Sequence, residues 1–299
     1  MVGDREVKKL LVKNMSIING EKLKLFSERN NEYLSNSPFP NIYFKDFFNP
    51  DFLKNVLNEF PDLSKKKETA KFKDVNQLKN ASVGEDLLGL NTKLLIHYLN
   101  SEPFLNFLTT LTGIKYLLPD PTLNGGGYHQ IKPGGFLKIH ADFNKHPKYN
   151  LDRRLNLLIY LNENWEEGYG GSFELWDNEM KNCVKQIPPN FNNVAIFSTT
   201  SDSYHGHPNP LKCPPDRTRK SIALYYYTNG RPESEKLKYL ENHTTIFKAR
   251  KEDEEKKQIE EYITKKIKKE KKDYSLSKAI NLIKLFLPPI LIQLIKKLK

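Results

Sequence analysis

The chain has 299 residues, 38% of them hydrophobic, and a formal net charge of +12, long enough for one large domain or two small ones around a real core. Two cysteines, Cys183 and Cys213, exclude a disulfide framework and a cysteine-built zinc site, and they point to a reducing compartment. The charge is mostly terminal: residues 248–299 hold 16 Lys and Arg against 8 Asp and Glu, which supplies +8 and leaves +4 for the rest, so a basic groove for specific nucleic acid is not expected. The N-terminus has no apolar run of signal-peptide length and no small-residue cleavage site, which makes the cytoplasm the expected location.

Residues 1–37 read as a polar lead-in with one amphipathic helix in "EKLKLFSERNNEYL". "SPFPNIYFKDFF" follows, with two prolines that forbid helix and then an aromatic run of strand character. "NPDFLKNVLNEFPDL" predicts a helix over about 50–60, from its Asn-Pro-Asp start and helical apolar spacing. "SKKKETAKFKDVNQLKNASVGEDL" is polar and reads as a loop, and "NTKLLIHYLNSEPFLNFLTTLTGI" reads as two helices broken at Pro103. From "NGGGYHQIKPGG" to Thr228 the chain is cut into short β-branched and aromatic runs separated by Gly, Pro, Asn and Asp, as in a sandwich or jelly roll.

The fold class is therefore α+β: helices over 50–117, an antiparallel β core over 122–228, and both within a domain spanning 38–230. Residues 231–299 form a charged linker and an amphipathic, apolar C-terminal helical tail. Lys284 and the Pro288-Pro289 pair interrupt its apolar run, so a straight membrane span is not expected, whereas peripheral contact with an anionic membrane fits its lysines.

In "GGFLKIHADFN", His140 and Asp142 stand at i and i+2 of a strand, where side chains share a face. A third ligand is available in "SDSYHGHPNPL", where His205 and His207 come 63 and 65 residues after Asp142. Two histidines and a carboxylate on one face of a metal form the facial triad of non-haem Fe(II) oxygenases, with positions left for a chelating 2-oxo acid and dioxygen. A dicarboxylate would also need its far end held, and a strand-borne arginine does this bidentately. Arg219, 14 residues past His205, opens "RKSIALYYYT" with Ser221 on the same face, and Arg217 is the alternative.

These motifs, with "RRLNLLIYLN", "GGSFELWD" and "IPPNFNNVAIFST" in order between them, resemble the iron and 2-oxoglutarate-dependent dioxygenase superfamily, particularly its prolyl 4-hydroxylase-like branch. The resemblance implies a double-stranded β-helix (jelly roll) core with N-terminal helices packed on it. It also implies Fe(II), 2-oxoglutarate and O2 as cosubstrate, admits ascorbate as a reductant, and gives hydroxylation of a C–H bond with succinate and CO2 as coproducts. Carried over by position, His140 and Asp142 match the His-x-Asp, His205 the distal histidine with His207 as the alternative ligand, and Arg219 the partner of the far carboxylate beside Ser221.

Tyr128 and Gln130 are expected to line the cosubstrate pocket, since Ile131 falls where the family often has tyrosine. Asn156 and Tyr160 read as core positions that could point inward, and Asn144 and His146 as loop residues near the substrate. The substrate is a small molecule or a peptide; the sequence carries no reading of oligomeric state. Two further readings use the same residues: a cupin-like metal-binding protein with non-oxygenase chemistry, and a catalytically idle binding protein recruited to a membrane.

Overall fold

The structure is a computed structural model that describes residues 16–236 and 242–254. The amphipathic run near the N-terminus forms two short helices, α1 (Gly20–Ser27) and α2 (Asn30–Ser35), where one was expected. The Asn19 side chain caps α1 by accepting from the Glu21 and Lys22 amides. Strand β1 (Asn41–Phe44) and helix α3 (Pro50–Asn58) follow as predicted; Asn49 caps α3 and Pro50 occupies its first turn, where no amide is needed.

The polar stretch read as a loop is a hairpin, β2 (Thr69–Lys73) and β3 (Gln77–Ser82). Its Lys, Asn and Gln residues have little strand propensity, and what makes it a strand pair is tertiary: β3 hydrogen-bonds to β5 (Gly127–Ile131) and β6 (Phe136–Ala141). The Asp74 side chain closes the turn by accepting from the Asn76 and Gln77 amides. Helices α4 (Leu90–Leu99) and α5 (Glu102–Thr112) are separated at Ser101, with Pro103 in the first turn of α5 and Gly113 in the left-handed conformation closing it.

The remaining strands are β4 (Leu118–Pro119), β7 (Asp152–Tyr160), β8 (Phe173–Trp176), β9 (Cys183–Ile187), β10 (Val194–Ser198), β11 (His205–His207), β12 (Arg219–Thr228) and β13 (Ile246–Phe247). A short helix α6 (Glu233–Lys236) lies between the last two. Among the described residues the sheet runs β1-β10-β7-β12-β5-β3-β6-β11-β8-β9, every pairing antiparallel. The sheet rolls until its two ends meet: Lys185 Nζ on β9 donates to Asn41 Oδ1 on β1 at 2.8 Å, and Phe173 on β8 stacks 5.2 Å from Phe197 on β10. The result is a jelly roll, as expected.

Alternation along β7 and β12 divides the molecule into an outer layer and an interior. Leu155, Leu157, Ile159, Ile222, Leu224 and Tyr226 face outward and pack under the helices with Leu53, Leu95, Phe104 and Leu108. Asn156, Leu158, Tyr160, Arg219, Ser221 and Ala223 face into the roll. The compact unit runs past residue 230 to Lys248, because β13 pairs with the His140–Ala141 end of β6; the shift to charged composition does not mark that boundary. Residues 249–254 belong to a second unit, and the expected apolar tail beyond them, like the first 15 residues, lies outside the described residues. Among the described residues no helix is long and apolar enough to cross a membrane.

Candidate active site

The Pro133-Gly134-Gly135 turn places β6. Gly134 has φ +78°, and a Cβ on Gly135 would sit 2.6 Å from the Leu78 carbonyl oxygen, so glycine is required at both. On β6, His140 stands opposite His205 of β11, with ring centroids 4.5 Å apart. Asp142, just beyond β6, places its carboxylate 3.6 Å from His140 Nε2 and 3.3 Å from His205 Nε2. One ligand atom from each of the three lies within 4.8 Å of the others, and among the described residues this is the cluster able to hold a metal. His207 is not part of it.

Both imidazoles are oriented from behind. His140 Nδ1 donates to the Lys138 carbonyl and His205 Nδ1 to the Ser203 carbonyl, each at 2.8 Å. Each Nε2 lone pair therefore faces the Asp142 carboxylate, an arrangement that needs a cation or a proton between them. Burial pushes the His140 imidazole below its ordinary value, with His205 adding to the effect, which favours the neutral, ligating form. Burial alone would raise the Asp142 carboxyl, but the Arg153 guanidinium and the facing imidazoles outweigh it and hold that carboxyl well below the usual range. The donor set, two oriented ring nitrogens around an ionised carboxylate, fits a divalent first-row metal.

Arg153 was not anticipated as a site residue. Its Nη2 donates to Asp142 Oδ2 at 3.0 Å, and Asn156 Nδ2 donates to the same oxygen at 2.7 Å, while Asn156 Oδ1 accepts from Arg153 Nε and Nη2. Strict alternation would turn Arg153 outward with Leu155. The register against β12 slips between Tyr226 and Tyr227, and this bulge brings Arg153 onto the inner face. There its guanidinium lies between Tyr225 and Phe143, 3.5 and 4.3 Å from their ring centroids. The signal in the sequence was the charged pair Arg153-Arg154 at the head of an apolar strand. Asn156 is thus a support for the carboxylate and not a packing residue.

Deeper in the roll, Arg219 is 4% exposed. Its Nε donates to the Gly171 carbonyl at 2.7 Å, its guanidinium lies 5.1 Å from the Tyr160 ring centroid, and no carboxylate among the described residues pairs with it. Ser221 and the buried hydroxyl of Tyr160, which interacts with Arg219, line the same cavity. Arg217 is elsewhere, donating to the Glu163 and Asn164 carbonyls.

Tyr128 and Gln130 do not line the pocket. The pleat of β5 turns both toward the helices, where the Tyr128 hydroxyl bonds Thr92 and Gln130 Oε1 accepts from the Leu63 amide. Their neighbours His129 and Ile131 face the cavity instead, beside Lys79 from the unanticipated hairpin. Burial pushes Lys79 down to about 8 and, with Lys79 nearby, His129 down to about 3. His146 and Asn144 are buried and structural: His146 contacts Thr122 and Asp120, and Asn144 pairs with the backbone of His243.

A groove of about 470 Å³ opens beside His140 and Asp142. The β2–β3 hairpin and the aromatic rings of Phe143 and Tyr225 form walls, and β13 closes one end, with Phe247 5.5 Å from the His140 ring.

Residues 126–227 match the sequence profile of the 2OG-Fe(II) oxygenase superfamily. Over 203 residues, 65% of this chain, the sequence is 26% identical to the prolyl 3-hydroxylase OGFOD1 of Mus musculus. The chain spans about a third (34%) of that relative's length. Among solved structures, a Trichoplax adhaerens prolyl hydroxylase in complex with a peptide fragment of the hypoxia inducible factor oxygen degradation domain is similar in fold. Its TM-score is 0.51 at 19% identity, over 69% of this chain and 90% of that one. A Pseudomonas putida prolyl-4-hydroxylase aligns with a TM-score of 0.48 at 13% identity, over 68% of this chain and 99% of that one.

Proposed function

We propose that this chain, which belongs to the 2OG-Fe(II) oxygenase superfamily, hydroxylates a C–H bond in the manner of a prolyl hydroxylase, with His140, Asp142 and His205 as metal ligands and Arg219 as the anchor of 2-oxoglutarate. One observation carries the reading: an oriented His-Asp-His cluster shares its cavity with a buried arginine that has no carboxylate of its own among the described residues. A buried, unpaired guanidinium is costly unless a ligand supplies its counter-charge. Hydrolysis at a metal would give Arg219 no purpose there.

His140, Asp142 and His205 would hold iron, which would supply the dioxygen chemistry: one oxygen atom enters the substrate as hydroxyl and the other enters the succinate formed from 2-oxoglutarate with release of CO2. The protein's own share is positional. Arg153 and Asn156 keep Asp142 ionised and aimed, and the Lys138 and Ser203 carbonyls fix both ring tautomers. Arg219 and Ser221 hold the far carboxylate, with the Tyr160 hydroxyl facing the same space. The aromatic-walled groove takes a peptide or small-molecule substrate beside the ligands and excludes water from the reacting bond.

The test is anaerobic titration with Fe(II) and then 2-oxoglutarate, following the weak visible charge-transfer band of a chelated 2-oxo acid. Wild-type protein gives the band; Arg219→Ala binds iron equally well and needs about 10- to 100-fold more 2-oxoglutarate, the loss of a charge-assisted pair. Folded, iron-loaded protein with no band would overturn the assignment.

A further inference from the structure

His207 takes no part in the His-Asp-His cluster, yet it is 4% exposed and neither ring nitrogen has a hydrogen-bond partner among the described residues. It lies two residues from His205 on the same strand, with its ring in the cavity that holds Arg219, Ser221 and Tyr160. Its position is rigid. A Cβ on Gly206 would sit 2.8 Å from the Leu137 carbonyl oxygen and 2.9 Å from that of Lys138, so β11 is pressed against β6 with no room for a side chain between them. The register slips there, with Lys138 and Ile139 of β6 against Gly206 alone of β11, and His207 comes to stand opposite Leu137. A polar ring buried without partners is unfavourable, and an apolar side chain of similar size would fill the space at no such penalty. The Tyr160 hydroxyl and the guanidinium of Arg219, which has no carboxylate partner among the described residues, share the space with it and define a cavity built for a polar anionic ligand.

We propose that His207 is a further binding residue for the cosubstrate: one ring N–H donates to an oxygen of the carboxylate that Arg219 holds, and this selects a 2-oxo dicarboxylate over a 2-oxo monoacid of equal length. The inference rests on the assignment of Arg219 above and adds to it a second donor on a different strand.

The experiment is calorimetric titration of the full chain, loaded with Mn(II) under anaerobic conditions, with 2-oxoglutarate and with 2-oxovalerate, which has the same carbon chain and no far carboxylate. His207→Leu is expected to weaken 2-oxoglutarate about tenfold while leaving 2-oxovalerate and Mn(II) affinities unchanged, and His207→Gln to recover most of the loss. Unchanged 2-oxoglutarate binding in His207→Leu would overturn the proposal, as would equal weakening of both acids, which marks a general collapse of the pocket. A fall in Mn(II) affinity would overturn it in favour of metal ligation. Wild-type protein that binds Mn(II) but neither acid would sink the functional reading, and this proposal with it.

Discussion

Asp142 shows how much of the proposed metal site rests on residues outside its ligand cluster. Its Oδ2 takes two hydrogen bonds, from Arg153 and Asn156, and those two side chains are bonded to each other. The arginine is the larger electrostatic influence, and the asparagine sets direction. Replacing Asn156 by Leu removes the donor to Asp142 and the acceptor for Arg153 Nε and Nη2, so the carboxylate loses its aim but not its charge. Mn(II) affinity is expected to fall about 10- to 100-fold, as for other supports of metal ligands, and the melting temperature to fall because two buried guanidinium donors lose their acceptor; metal titration with a melting curve checks both halves. The His140-x-Asp142 pair and the need for a distant histidine were legible in the sequence, but parity left His205 and His207 equivalent. Arg153 was not legible, because a bulge reverses parity and no propensity announces a bulge that two strands create between them.

At the scale of elements, the β2–β3 hairpin has the largest consequence. It brings Lys79 to the junction of groove and inner cavity, where burial lowers the ammonium from 10.5 to about 8. Between pH 8 and 10.5 the unfolded chain holds a proton that the folded one does not, so Lys79 contributes stability that rises with pH across that window, while its positive charge near the cavity is lost. The affinity for 2-oxoglutarate is therefore expected to fall severalfold from pH 7 to 9 in wild-type protein, and to fall much less in Lys79→Met. An equal slope in both proteins would remove Lys79 from the ligand's surroundings. The hairpin was invisible beforehand because its residues are polar on both faces; its strand conformation depends on the backbone groups offered by β5 and β6, which lie far away in sequence.

On the scale of the molecule, chain from beyond the segment matched by the family profile lies against the site. The profile ends at residue 227, whereas β13 pairs with the strand that carries His140 and sets Phe247 against its ring. Cutting after Gly230 removes this strand, and cutting after Lys248 keeps it. The 1–248 protein is expected to bind Mn(II) and 2-oxoglutarate like the full chain. The 1–230 protein should melt several degrees lower, about 2–4 °C for each kcal/mol lost, and bind both ligands more weakly. Calorimetry on the two truncations separates a catalytic contribution of β13 from an inert extension. The same 1–248 protein, set against the full chain on anionic and neutral liposomes, tests the proposed peripheral contact of the basic tail: retention of full binding would dismiss the tail as its source.

What the sequence determined by itself was whatever depends on local rules. Pleat and spacing set which residues of β6 and β12 share a face, caps and prolines set where α3 and α5 begin, and the short apolar runs between turns set a sandwich or jelly roll, which the family resemblance narrowed to the jelly roll. The tertiary structure alone decided the rest. It grouped His205, and not His207, with His140 and Asp142 by setting it opposite His140, and it turned Tyr128 and Gln130 toward the helices, with His129 facing the cavity. It also made Arg153 a partner of Asp142 through a register slip. These outcomes share a physical cause: each depends on the match between two strands distant in the chain, and a one-residue slip in that match reverses every side chain beyond it.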